Sequence, residues 1–246
     1  SALLNAHPDA KVVGIVDNDH KALKLFSKLN NSIKTYSSIS NLLGGEIFDG
    51  VIISTPTSSH ISVLEEFNNC CPYTLIEKPL ALNCMEINKR KLSEKLINKA
   101  FVGYVMRFHP AFNKVKHFLL NNLLGGIRSF HSQYYISSAL KQLKGWRIDP
   151  HTAGGGVLVT NASHILDMIL WYFGTPTKVT GIKQHIFHQD VEDAYYGIMH
   201  YDNGMVGTIS TDWSRKKYRI PYMSFNIIGE KGEIEVDNNR ISLMLY

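Results

Sequence analysis

A lysine set directly behind an apolar run is the first residue of this chain whose placement suggests chemistry. In YTLIEKPLAL, residues 73–82, the apolar run reads as a buried strand, and Glu77, Lys78 and Pro79 follow it. Loops at the carboxyl ends of parallel strands are where open α/β sheets bind ligands, so Lys78 is a candidate for chemistry rather than solubility. An ammonium beside an oxygen that gains negative charge stabilises it and can hand it a proton. A second candidate, Asp17, ends the run KVVGIVD, where a dinucleotide-binding fold puts the carboxylate that accepts from the adenosine ribose hydroxyls. A third, His164, lies early in a helical run behind three glycines, Gly154, Gly155 and Gly156, with Asp167 three residues on and on the same face. The run SRKKYR, residues 214–219, sets Tyr218 among basic residues that could meet an anionic substrate.

Other chemistries find less support. Cys70, Cys71 and Cys84 have no metal-ligand spacing, and an odd count with two adjacent residues is not a disulfide framework, so reduced thiols and no metal site are expected. The net charge of +5, from 26 basic and 21 acidic residues, is spread along the chain. The densest basic stretch, residues 88–99, carries Glu94 among its lysines and reads as a solvated helix face rather than a nucleic-acid patch. The longest apolar segment, residues 164–174, contains Asp167 and is too short to span a bilayer, and the chain opens without a signal-peptide pattern. A cytoplasmic protein without nucleic-acid or membrane partners is the expectation.

These candidates need elements to hold them. With 246 residues, 44% hydrophobic and 19% charged, the chain can bury a core in one large domain or two ordinary ones. Its first half alternates strands (11–17, 49–55, 73–79, 100–106) with helices (20–30, 59–69, 83–99), which argues for βαβ units and a parallel, doubly wound sheet. Beyond Pro110 a helix, a strand at 127–137 and a helix at 161–174 precede strands at 177–187, 194–201, 205–214 and 222–236, with Asp-Asn-Gly and Gly-Glu-Lys-Gly hairpin turns. The fold class expected is α/β, an incomplete Rossmann-type sheet over residues 1–106, followed over 107–246 by an α+β domain with a large, mostly antiparallel open sheet. It is incomplete because only 16 residues precede Asp17, whereas the glycine-rich phosphate turn lies about 20 residues before that carboxylate. The absent strand is a central one in the usual order, so a gap is expected between the strands ending at Asp17 and Thr55, and the chain is expected to be a fragment, cut at its amino end and also at its carboxyl end.

With STPTSSH, IEKPLALN, GYVMRFHP, GWRIDP and GGGVLVTNASHILD in this order, the chain resembles the Gfo/Idh/MocA family, the glucose–fructose oxidoreductase and inositol dehydrogenase group. The resemblance implies a Rossmann domain joined to an α+β domain whose open sheet forms a homodimer or homotetramer contact. It implies NAD, with NADP as the other possibility, and a sugar, nucleotide-sugar or cyclitol substrate. Lys78 matches the family lysine that hydrogen-bonds the reacting oxygen, Pro79 a proline often preceded by a cis peptide, and His164 the acid or base that works with the lysine. Ser54, Thr55, Pro56, His60 and Glu77 fall at cofactor contacts. Arg107, Thr160 and Asn161 fall at the substrate, Arg107 bordering the cofactor too, although a plain ion pair is an equal reading for Arg107 and Arg147. Arg107 and Arg147 resemble family arginines near the domain junction, where a guanidinium could orient cofactor or substrate, and Trp146 could stack near the nicotinamide of the cofactor or fill core. Thr160 departs from the family, many of whose members carry aspartate there. A threonine cannot hold charge near neutral pH, which leaves Lys78 and His164 as the minimal pair. Asp17 favours NAD, since a carboxylate repels a 2′-phosphate, though His20 and Lys21 stand close in sequence.

The reading is therefore an NAD(P)-dependent oxidoreductase that passes hydride between nicotinamide and a carbohydrate carbon. Two alternatives stand beside it: an NAD-dependent glycosidase of the same superfamily, and a non-catalytic member that serves as a binding or scaffold protein.

Overall fold

The computed structural model describes residues 7–45, 47–70, 72–90, 92–137 and 145–246. These fall into two compact units, one from the described residues of Ser1–Ile53, Ser62–Leu75 and Leu92–Ala100, the other from those of Ser54–Ile61, Ile76–Lys91 and Phe101–Tyr246.

In the first unit β1 (Gly14–Val16) pairs in parallel with β2 (Lys34–Tyr36) across α1 (His20–Leu29). Asp19 caps α1 by accepting from the Lys21 and Ala22 amides, which satisfies donors that a helix start leaves without partners. Ser38 caps α2 (Ile39–Leu43) in the same way through the Asn41 amide. Neither β2 nor α2 is anticipated by the sequence reading, because three and five residues are too short for a periodic pattern to register. A second sheet has the order β3 (Gly50–Ile53), β4 (Tyr73–Ile76), β5 (Ala100–Val102), with Thr74 and Ile76 buried and Tyr73 and Leu75 exposed, as strand alternation requires. Among the described residues β1 and β3 do not pair, so the parallel strands form two sheets, divided where the sequence reading expects a gap.

The helix expected over residues 83–99 is two helices. Arg90 ends α4 (Cys84–Lys89) in extended backbone, φ −95° and ψ 140°, and Ser93 starts α5 (Glu94–Ile97) by accepting from the Leu96 amide. The segments that follow β3, β4 and β5 belong to the second unit.

There, α3 (His60–Glu65) begins, and α6 (Pro110–Leu120) and α7 (Pro150–Ala153) each open on a proline, which loses nothing where no amide partner exists. A seven-stranded sheet runs β12 (Ile241–Leu245), β11 (Gly232–Asp237), β10 (Tyr222–Gly229), β6 (Ile127–Tyr135), β9 (Val206–Asp212), β8 (Ala194–His200), β7 (Lys178–Gln184). Every pair is antiparallel except β6 with β9, which is parallel. One face of the sheet, through Phe130, Tyr134, Met199, Ile209, Phe225 and Ile227, joins Phe112, Val115, Ile165, Met168 and Tyr172 of α6 and α9 (Ser163–Phe173) in one buried core. The register puts Ile182, Ile198, Val206 and Met244 on the opposite face, all exposed. No helix is long and apolar enough to cross a membrane among the described residues.

Candidate active site

The second unit gathers the turns after β3 and β4 with the amino end of α9. The Lys78–Pro79 peptide is cis, as the resemblance implies for this proline. Lys78 donates through Nζ to the backbone carbonyl of Thr160, the last residue of the single-turn helix α8 (Val157–Thr160). His60 is 1% exposed, and its ring links the two preceding loops: Nδ1 lies 2.9 Å from the Pro79 carbonyl and Nε2 2.8 Å from that of Thr55. His60 therefore fixes the loop that carries Lys78, while Ser54, Thr55 and Pro56 stand exposed beside it.

His164 sits in the first turn of α9, half-buried between the rings of Tyr104, edge-on at 6.4 Å, and Tyr134, near-parallel at 6.4 Å. Its Nδ1 is buried without a hydrogen-bond partner among the described residues. Burial first, and the Lys78 ammonium second, hold its pKa down at about 4, so the imidazole is neutral at neutral pH. A buried ring nitrogen without a partner, next to a held cation, is uncommon in a folded chain and marks this place as a candidate site.

Thr160 contributes its carbonyl rather than its side chain. Its hydroxyl lies 2.7 Å from the Gly156 carbonyl and 2.9 Å from Asn161 Oδ1, turned back on its own segment. Asn161 also hydrogen-bonds Tyr134, while burial raises the Tyr134 phenol. Arg107 grips Asp167 with two hydrogen bonds, Nε to Oδ2 at 2.8 Å and NH2 to Oδ1 at 2.6 Å, and lies over the Trp171 ring. Asp167 thus serves the ion-pair reading of Arg107 and does not orient His164. Of the remaining candidates, Asp17 lies in the first unit and accepts from the Asp19 amide at 2.8 Å, and Glu77 is exposed. The side chains of Trp146 and Arg147 lie outside the described residues. No cluster of metal-ligating side chains occurs among the described residues.

Sequence reasoning misses Tyr104 and Tyr134 around His164, and also Glu192 and Asp193. Asp193 is fully buried and accepts from the amides of Ile186, Phe187 and His188, the His188 ring and the Trp213 indole. Its burial pushes the carboxyl pKa up, yet the Trp213 and His188 hydrogen bonds outweigh this and bring it down to about 2. No local pattern marks such a residue, because its partners lie up to 20 positions away.

The arrangement sets a lysine at a strand's carboxyl end beside a neutral histidine. The model of an oxidoreductase family with an NAD-binding Rossmann fold matches residues 1–104, and that of the GFO/IDH/MocA C-terminal domain matches residues 112–235. The chain belongs to the GFO/IDH/MocA family. It is 28% identical over 213 residues to Oxidoreductase P35 of Formosa agariphila, covering 82% of this chain and 60% of that protein. It is 27% identical over 172 residues to glucose-6-phosphate 3-dehydrogenase of Bacillus subtilis, covering 69% of this chain and 48% of that one. The chain thus spans about half to three fifths of these relatives' length. Its fold is that of the WlbA dehydrogenase of Bordetella pertussis, solved with NADH and UDP-GlcNAcA, at a TM-score of 0.88 and 21% identity over 99% of this chain and 72% of that one.

Proposed function

We propose that this protein is an NAD-dependent dehydrogenase acting on a sugar, nucleotide-sugar or cyclitol hydroxyl, with residues 1–106 as its dinucleotide-binding domain and 107–246 as its substrate and oligomerisation domain. The observation that carries this is Lys78, held at the Thr160 carbonyl, beside a neutral His164 whose buried Nδ1 has no hydrogen-bond partner among the described residues. Relatives of the family that act on sugar substrates support it, glucose-6-phosphate 3-dehydrogenase among them.

On this reading the exposed turn of Ser54, Thr55 and Pro56, with Glu77 and Lys78, would border the nicotinamide half of the cofactor, and Asp17, in the first unit, is the residue assigned to the adenosine ribose. Bound NAD supplies the hydride acceptor. Lys78, as the ammonium, donates to the substrate oxygen and stabilises the negative charge that grows there as hydride leaves the carbon. His164 is neutral and takes the hydroxyl proton at its ring, then returns it to the carbonyl oxygen in the reverse direction. His60 holds the Lys78 loop by its Pro79 carbonyl, so that the ammonium meets the substrate in one position.

Two copies joining through the open sheet face, where Ile182, Ile198, Val206 and Met244 are exposed, is the assembly this reading favours, as a homodimer or homotetramer. A cytoplasmic site of action goes with the free, exposed thiols of Cys70 and Cys84. The test is NADH formation by the protein expressed from its own gene against sugars, sugar phosphates and nucleotide sugars. Cleavage of a glycosidic bond without net NADH would favour a glycosidase instead.

A further inference from the structure

Resting on this reading, we propose that Glu192 is a positioning residue for Lys78, acting through α8. A helix of one turn has little stability of its own and leaves its first amides without partners. Residue 192 supplies partners for three of them. Its carboxylate accepts from Gly156 N through Oε2 and from Leu158 N through Oε1, each at 2.9 Å, and its backbone carbonyl accepts from Val157 N at 2.9 Å. The approach is close enough to require glycine at 156, where a Cβ would stand 2.0 Å from the Glu192 carbonyl oxygen.

Glu192 is itself fixed by its neighbour. Asp193 is buried under five donors, and the Trp213 amide donates to its carbonyl at 3.1 Å. At the far end of α8 the Thr160 carbonyl receives the Lys78 ammonium, and the Asn161 and Ala162 amides return to Val157 before α9 carries His164. A clamp on the amino end of α8 therefore sets where the acceptor of Lys78 stands. The function of the carboxylate is geometric: a glutamine could accept on one arm only, and its NH2 would face an amide N–H on the other.

Glu192→Gln in the protein expressed from its own gene tests this. Turnover is expected to fall about a hundredfold, the size a misplacement of about 1 Å produces, with NADH affinity unchanged. A readout apart from activity is the pH titration of Lys78, followed by NMR after reductive ¹³C-methylation, which is expected to differ from wild type in E192Q. Glu230→Gln is the control, because that carboxylate likewise accepts a backbone amide, Gly126 N at 3.0 Å, but at the β10–β11 turn. It is expected to leave turnover and the Lys78 titration unchanged. Should E192Q fail to fold, E192D, which keeps the carboxylate one methylene short, is read in the same way. A folded variant with wild-type turnover and an unmoved Lys78 titration would overturn the proposal. Absence of dehydrogenase activity in wild type would sink the functional reading alone, and the Lys78 titration would still decide this one.

Discussion

Lowering the pH should unfold this protein partly through His164, and the size of the effect follows from its surroundings. Burial and the Lys78 charge bring its pKa from 6.5 to about 4. Above 6.5 the ring is neutral both folded and unfolded, so its contribution is intact at pH 7. Between 6.5 and 4 the unfolded chain binds the proton and the folded one does not, so stability falls as pH falls, by about 3 kcal/mol once pH passes below 4. The assay is urea unfolding of wild type and His164→Gln at pH 7 and pH 4, beside a histidine C–H NMR titration. Wild type should lose about 3 kcal/mol more than the variant over this interval. Lys78→Met should bring the His164 titration upward, because it removes the second cause and leaves the first. Equal losses in wild type and variant, or a His164 resonance titrating near 6.5, would refute the account of the site.

Three further outcomes are expected. Lys78→Ala should lower turnover about 10²- to 10³-fold, the range seen when one donor to a developing oxyanion is removed, with NADH affinity near wild type by fluorescence titration. Asp193→Asn should cost about 2 kcal/mol in urea unfolding at pH 7, and the gap to wild type should close as pH falls from about 4 through about 2, since a carboxyl with a lowered pKa stabilises the fold only while ionised. Arg107→Met leaves Asp167 buried and unpaired, and because the arginine is 41% exposed a cost of about 2 kcal/mol, below the range for fully buried pairs, is expected in thermal unfolding with NADH affinity unchanged.

Much of the fold was legible because its strands are long enough to carry a period. The alternation in residues 222–236 and its Gly-Glu-Lys-Gly turn gave β10 and β11, and the 3.6-residue spacing gave α6 and α9. The break between α4 and α5 escaped because the charged stretch around Arg90 keeps a helical composition, while the backbone there turns extended to let Ser93 cap the next helix. The parallel pairing of β6 with β9 escaped for another reason: register between strands some 70 residues apart leaves no mark on either one. In the site, Lys78 stands out by its place behind a strand, and His164 is a candidate through the family resemblance. For Arg107 the ion-pair reading names no partner, since only the folded chain brings it to Asp167, 60 positions away. Glu192 belongs with it, as a carboxylate whose role appears only once Gly156 and Leu158 are beside it.

The central claim is that Lys78 and His164 serve a hydride transfer, and the most direct test is the stoichiometry of NADH formed to substrate consumed by the protein expressed from its own gene, across sugars, sugar phosphates, nucleotide sugars and cyclitols. One NADH per oxidised substrate, lost in Lys78→Ala, is the predicted result. Substrate consumed without accumulating NADH, or turnover indifferent to Lys78, would contradict it.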